Sequence, residues 1–119
     1  MSCKNNLVNT AVKAADAKFG RDITVLNVSE LTTLTSYFVI VTGGSNINVQ
    51  AICDHIEDEM AKAGAKMLNK EGYNNAEWIL LGYDDVIIHI FQSEPREFYK
   101  LEHIWKDAAS VDVEDLLVK

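Results

Sequence analysis

Hydrophobic and polar positions follow a helical period in two parts of the chain. Apolar residues recur at three- and four-residue intervals in residues 5–19, and Gly20 stands where a C-terminal cap belongs. A longer helix is predicted near the middle of the chain, capped by Ser45 or Asn46 and terminated by Gly64. Its apolar face consists of Val49, Ile52, Ile56, Met60 and Ala63.

Four apolar runs predict β-strands. β-Branched residues dominate Ile23–Val28, and the almost wholly apolar Tyr37–Thr42 indicates a strand that is covered on both faces. Two further strands are predicted at Glu77–Leu81 and Val86–Phe91. Because only the four residues Gly82-Tyr83-Asp84-Asp85 join them, these two strands should form an antiparallel hairpin.

The order of these elements predicts the fold class. A last helix is expected after Pro95. The order helix, strand, strand, helix, hairpin, helix indicates an α/β (α+β) domain, a single mixed sheet flanked by helices. The strand–helix–strand unit in residues 37–81 should form a right-handed crossover. We assign residues 1–107 to this domain and residues 108–119 to an acidic C-terminal tail. The apolar stripe of the last helix comprises Phe98, Leu101, Ile104 and Trp105.

Composition narrows the class of protein. With 119 residues, of which 48% are hydrophobic, the chain suits one globular domain. It contains no apolar run near the ~20 residues that a membrane span needs, and its N-terminal segment lacks a signal-peptide pattern. Cys3 and Cys53, the two cysteines, are typical of reduced thiols. We therefore expect a cytoplasmic protein without a membrane partner.

The net charge of −7 is concentrated in one part of the sequence. Acidic and basic residues balance in residues 1–70, whereas residues 71–119 contain eleven acidic and four basic residues. Such a surface repels phosphate backbones, so little direct nucleic-acid contact is expected. It favours a basic protein partner through electrostatic complementarity. The alternative is that the acidity serves only solubility.

Candidate catalytic chemistry is weak. The Gly43–Ser45 segment opens a helix, as in nucleotidyltransferases, and could contact an anion. Those enzymes also need carboxylates on later strands to hold Mg²⁺, and neither Trp78–Leu81 nor Val86–Phe91 carries an acid. His89 is expected to be a hydrogen-bonded sheet residue, and Cys53 a small core residue. We predict no enzyme, cofactor or metal site.

The candidate binding residues lie on the hairpin. Along a strand, Trp78 and Leu80 share one face. Trp78 follows Glu77, and Tyr83, Asp84 and Asp85 form the turn, which is the composition of an interface hot spot: aromatic residues bordered by charge. The alternative is that Trp78 packs beneath the last helix against Trp105.

Several motifs carry a resemblance to a known family. In this order and spacing, the chain resembles the Iojap-related ribosomal silencing factor family, RsfS, over residues 5–107. The motifs are LTSYFVIVTGGSN (Leu34–Asn46), EGYNNAEWILL (Glu71–Leu81), DVIIHIF (Asp85–Phe91) and REFYKLEHIW (Arg96–Trp105).

The resemblance implies both a fold and a function. The fold would be nucleotidyltransferase-like without the catalytic acids. The protein would bind the large ribosomal subunit through ribosomal protein fourteen and sterically block association with the small subunit, repressing translation. The implied contacts are Trp78 and the turn Tyr83-Asp84-Asp85, to which we add Leu80 and Glu77; Asp84 replaces a glycine that is common in relatives.

Three alternatives stay open. A large-subunit assembly factor would use the same contact. A nucleotide-binding enzyme would use the Gly43–Ser45 segment instead. An exposed Trp78 would also favour a homodimer when the protein is free.

Overall fold

The computed structural model describes residues 6–29, 35–92 and 109–111, which form two helices and six strands. The predicted last helix after Pro95 lies outside the described residues. No helix in the described part has the length and apolar character needed to cross a membrane. In chain order the elements are α1 (Asn6–Ala17), β1 (Arg21–Asn27), β2 (Tyr37–Gly43), α2 (Asn46–Lys62), β3 (Asn69–Glu71), β4 (Trp78–Gly82), β5 (Val86–Gln92) and β6 (Ala109–Val111).

The strands form one mixed sheet in the order β3-β4-β5-β2-β1-β6. Only β2 and β5 are parallel, and every other neighbouring pair is antiparallel. The predicted fold class and the β4–β5 hairpin are confirmed. The predicted crossover in residues 37–81 is wrong, because the hairpin reverses the chain and only its second strand, β5, runs parallel to β2.

The sheet separates two hydrophobic clusters. Helices α1 and α2 cover one face, where β2 and β5 contribute Val39, Val41, Ile88 and Ile90. A second cluster on the other face contains Leu26, Val28, Phe38, Ile40 and Phe91. Strand β2 is therefore buried on both faces, as its continuous apolar run predicts.

Helix α2 begins and ends where the sequence indicates. Ser45 is the N-cap, and its Oγ accepts a hydrogen bond from the backbone N–H of Asn48 at 3.1 Å. Gly64 follows the helix with φ +84°, and the N–H of Ala65 donates to the carbonyl of Met60 at 2.9 Å. This left-handed residue after the last turn is the usual termination of a helix.

Helix α1 is shorter than the predicted span 5–19, and its termination differs. Phe19, rather than Gly20, takes the left-handed conformation, with φ 65°, and its side chain is 81% exposed. The N–H of Gly20 donates to the carbonyl of Ala15 at 2.8 Å. A Cβ at Gly20 would lie 2.8 Å from both the Ala15 oxygen and Cγ1 of Val41, so close packing explains this glycine.

Strands β3 and β6 were not expected from the sequence. The three residues of β3 are classed as exposed and pair with β4, and the side chain of Lys70 forms an ion pair with Glu57 of α2 at 2.7 Å. β6 lies within residues 108–119 and pairs with Val25–Asn27 of β1. The division into a domain at 1–107 and a tail at 108–119 stays a prediction.

Candidate functional site

The candidate site lies on strand β4, whose side chains alternate between the two faces of the sheet. Ile79 and Leu81 are fully buried in the helix-side cluster, whereas Trp78 and Leu80 are half-buried and face the other way. The predicted sharing of one face by Trp78 and Leu80 is confirmed. We call Trp78 and Leu80, together with Glu77, Asp84 and Asp85 at the ends of the strand, the Trp78 face.

Stacking on Phe91 and a hydrogen bond to His89 hold the Trp78 indole. Trp78 lies opposite Phe91 in the β4–β5 register, and the rings stack with centroids 4.9 Å apart at 26°. The indole Nε1–H donates a hydrogen bond to Nδ1 of His89 at 3.0 Å. Phe38 completes the group, meeting the His89 ring edge-on with centroids 5.1 Å apart. Trp78 is therefore a partly exposed aromatic residue supported by a buried aromatic cluster.

His89 is held neutral in this cluster. Burial lowers the pKa of His89 to about 4, because desolvation disfavours the imidazolium. An indole nitrogen only donates, so Nδ1 is the acceptor and Nε2 carries the proton. His89 Nε2 is buried and has no hydrogen-bond partner in the described part of the chain. The prediction of a hydrogen-bonded sheet residue is confirmed.

The acidic residues lie at the two ends of β4. Glu77 is exposed next to Trp78, and its carbonyl accepts a hydrogen bond from the N–H of Gln92 at 3.0 Å. Asp84 and Asp85 are exposed in the hairpin turn. Six residue steps of about 3.3 Å lead from Glu77 to Tyr83, so the two groups are separated by roughly 20 Å. The structure thus places negative charge beyond both ends of β4 rather than in one cluster, and Asp84 lies beside Leu7 and Tyr83 toward the helix side of the sheet.

Tyr83 does not join Trp78. It is 4% exposed and belongs to the helix-side cluster, on the opposite side of the sheet. Its N–H donates to the carbonyl of Val86 at 2.8 Å and so closes the turn. Burial, with smaller effects of Glu57 and Cys53, raises the pKa of Tyr83 to about 12. The expectation of Tyr83 as a surface contact is corrected: it packs inside and supports the acidic turn.

The Gly43–Ser45 segment forms an internally bonded helix start. The N–H of Gly44 donates to Oδ1 of Asn48 at 2.8 Å, and the Asn48 N–H donates to Ser45. The Asn48 amide also donates to the carbonyl of Lys18 at 2.9 Å, which connects α1 to α2. Two N–H groups that would face an anion are therefore already paired, in agreement with a capped helix.

The remaining candidate ligands lie along α2. Cys53 is buried in the helix-side cluster, as predicted, and its thiol donates to Oε2 of Glu57 at 3.3 Å. Burial raises the pKa of Cys53, so it remains a thiol. His55 lies with Asp58 and Glu59, with side-chain atoms within 4.8 Å of one another. Helical spacing alone brings such residues together, so we assign no metal to them.

The fold is a small α/β domain with one mixed sheet. Its candidate site combines a partly exposed tryptophan on β4 with exposed acidic residues at the ends of that strand. A crystal structure of a protein from Chromobacterium violaceum matches with a TM-score of 0.83 and 30% identity, over 85% of this chain and 84% of that one. A family model described as "Ribosomal silencing factor during starvation" matches residues 2–119. The chain therefore belongs to the ribosomal silencing factor family, RsfS.

Individual relatives agree with this membership. The ribosomal silencing factor RsfS of Bacillus subtilis is 32% identical over 111 residues, which cover 93% of this chain and 94% of that protein. A mouse protein named "Mitochondrial assembly of ribosomal large subunit protein 1" is 28% identical over 88 residues, 71% of this chain and 39% of that one. The resemblance to RsfS that the motifs indicate is thus confirmed.

Proposed function

We propose that this protein binds the large ribosomal subunit through ribosomal protein fourteen and sterically blocks association with the small subunit. Translation is repressed as a result. The observation that carries the proposal is the Trp78 face, in which a partly exposed aromatic residue lies on β4 and exposed acidic residues lie at both ends of the strand. Family membership supports the silencing role.

Trp78 is suited to be the main apolar contact. Tryptophan is enriched among residues that dominate binding energy, and such residues lie near the centre of an interface. Stacking on Phe91 and the hydrogen bond to His89 hold the indole before a partner arrives. A pre-ordered side chain loses less conformational freedom on binding, which favours affinity. Leu80 extends the apolar surface along the same strand.

Charge supports a ribosomal protein as the partner. Glu77, Asp84 and Asp85 are exposed, and the excess negative charge of the chain lies in residues 71–119. Ribosomal proteins are typically basic, so oppositely charged surfaces would steer the encounter and fix its orientation. The acidic surface also disfavours phosphate, in keeping with little direct contact to nucleic acid. Tyr83 contributes by supporting the acidic turn from inside.

Steric blocking requires affinity and bulk but no catalytic group. The molecule measures 34 × 33 × 31 Å. A copy bound to the surface of the large subunit that meets the small subunit would therefore hold the two subunits too far apart for their side chains to touch. The proposed function therefore involves no enzyme activity and takes place in the cytoplasm. When no ribosome is available, the free protein is proposed to form a homodimer through the Trp78 face.

A second function uses the same contact. The name of the mouse relative refers to assembly of the large ribosomal subunit, which favours a role on immature subunits. An assembly factor would bind immature large subunits more tightly than mature ones and would leave joining of mature subunits unchanged. A silencing factor would bind mature subunits and reduce their joining. Comparing the two kinds of subunit as binding partners separates these functions.

Co-sedimentation with separated ribosomal subunits tests the proposal. The protein should sediment with the large subunit and not with the small one, and fewer joined ribosomes should form when it is added before mixing. No binding to the large subunit would overturn the proposal. Calorimetry with Mg²⁺–nucleotide tests the rival enzyme, for which the Gly43–Ser45 segment is the candidate site; measurable nucleotide binding would favour that rival.

A further inference from the structure

A buried polar residue lies behind the Trp78 face, and the fold alone does not explain why it is polar. His89 is 5% exposed and lies among aromatic and aliphatic side chains of the second cluster. We propose that His89 is a positioning residue for ribosome binding: its Nδ1 accepts the Trp78 Nε1–H and fixes how the indole is presented. This inference rests on the proposed role of Trp78.

Stacking on Phe91 and the hydrogen bond to His89 constrain different motions of the indole. Stacking, with centroids 4.9 Å apart at 26°, sets the plane of the ring but is also compatible with a ring flipped by about 180° around the Cβ–Cγ bond. The hydrogen bond to His89, at 3.0 Å, fixes the direction of Nε1 and so selects one of these two orientations. Without an acceptor at position 89 both orientations become available, and they present different edges of Trp78 to a partner.

The need for satisfied hydrogen bonds does not by itself explain His89. Because Trp78 is half-buried, an indole flipped about Cβ–Cγ could turn its N–H toward water if the histidine were absent. Accepting at Nδ1 leaves the buried Nε2–H of His89 without a partner in the described part of the chain, which is an energetic cost. A low His89 pKa agrees with the neutral tautomer that this geometry requires. An aliphatic residue would avoid the cost, and the neighbouring Phe38 and Ile40 are apolar.

Two substitutions at position 89 separate positioning from packing. His89→Leu removes the acceptor and the unpaired donor together, and Leu fills the apolar site. His89→Asn keeps an acceptor, because Asn Oδ1 occupies the place of His Nδ1. Ile88→Val is the control, since Ile88 precedes His89 on β5 but is buried in the helix-side cluster, away from the Trp78 face. If His89→Leu fails to fold, His89→Val provides a second variant without the acceptor.

The experiment measures large-subunit affinity, the melting temperature and the indole ¹H–¹⁵N signal of Trp78. We expect His89→Leu to weaken binding at least about fivefold without lowering the melting temperature, and to shift the indole signal. His89→Asn should bind within about twofold of the wild type. Ile88→Val should melt lower yet bind within about twofold of the wild type.

The outcomes also distinguish this inference from the proposed function. Unchanged binding by a folded His89→Leu or His89→Val variant would overturn the positioning role, and so would an indole signal that does not move. If Trp78→Ala weakens binding while His89→Leu does not, only the inference about His89 fails. If Trp78→Ala leaves binding unchanged, the role of Trp78 and the inference built on it fail together.

Discussion

Replacing Trp78 with alanine tests the candidate site without removing the fold. Replacing a fully buried tryptophan with alanine lowers the free energy of unfolding by about 3–5 kcal/mol. Trp78 is half-buried, so we expect the free energy of unfolding to fall by roughly 2 kcal/mol, including its stacking on Phe91. Domains of this size are typically stable by about 5–15 kcal/mol, so Trp78→Ala should remain folded.

The same substitution should affect ribosome binding much more than folding. Loss of a central aromatic contact typically costs at least about 2 kcal/mol of binding free energy. This corresponds to a dissociation constant for the large subunit that is roughly 30-fold higher. A titration by co-sedimentation measures the dissociation constant, and circular dichroism on heating confirms that the variant folds. Both measurements use the 119-residue chain.

Ile23→Ala provides a matched control. Ile23 is also half-buried, but it packs against the helix-side cluster, away from the Trp78 face. It should lose a comparable amount of folding stability, about 2 kcal/mol, and keep wild-type affinity. The reasoning is refuted if Trp78→Ala folds and binds within about twofold of the wild type. It is equally refuted if Trp78→Ala no longer folds, because Trp78 would then be a core residue.

Three further predictions address the charge, the helix cap and the buried imidazole. Asp85→Lys should slow association with the large subunit at low salt, as measured by stopped flow. The difference in association rate from the wild type should shrink as salt rises, and a salt-independent difference would contradict this prediction. Ser45→Ala should lower the free energy of unfolding by about 1 kcal/mol in urea titrations, since it removes the bond to Asn48; an unchanged midpoint would contradict the assigned cap. The lowered pKa of His89, about 4, means that the unfolded chain binds a proton below about pH 6.5 while the folded protein does not. Stability should therefore fall between pH 6.5 and 4, by up to roughly 3 kcal/mol, and His89→Asn should lose less over the same range.

Helix α2 and the hairpin could be predicted from the sequence because their signals are local. Three local signals indicate this helix. Ser45 marks its start, Gly64 marks its end, and the regular apolar spacing between them marks its buried face. The four-residue connection before Val86 likewise determined the pairing of β4 with β5. Each of these features depends on residues close together in the chain.

Features that depend on distant pairing could not be predicted in this way. β3 consists of three exposed polar residues, Asn69–Glu71, and its structure depends on β4 and on the ion pair between Lys70 and Glu57. The parallel partner of β2 is β5 rather than β4, which no local pattern specifies. β6 forms a strand through its pairing with β1, and the sequence of its three residues alone does not predict it.

The candidate site was predicted only in part, for the same reason. Alternation along β4 correctly placed Trp78 and Leu80 on one face, but Tyr83 lies in the turn, where a two-residue period no longer applies. The bond between Trp78 and His89 was missed. A signal for it existed: in the hairpin register His89 is opposite Leu80, which makes it a diagonal neighbour of Trp78 on the same face.

Site-specific cross-linking tests the central claim most directly. A photoreactive amino acid in place of Glu77, which is exposed beside Trp78, would report which ribosomal component touches this face. After irradiation with purified large subunits, mass spectrometry identifies the partner. We predict ribosomal protein fourteen, with the cross-link lost in the Trp78→Ala background. A cross-link to a different ribosomal protein or to ribosomal RNA, unaffected by Trp78→Ala, would contradict the account.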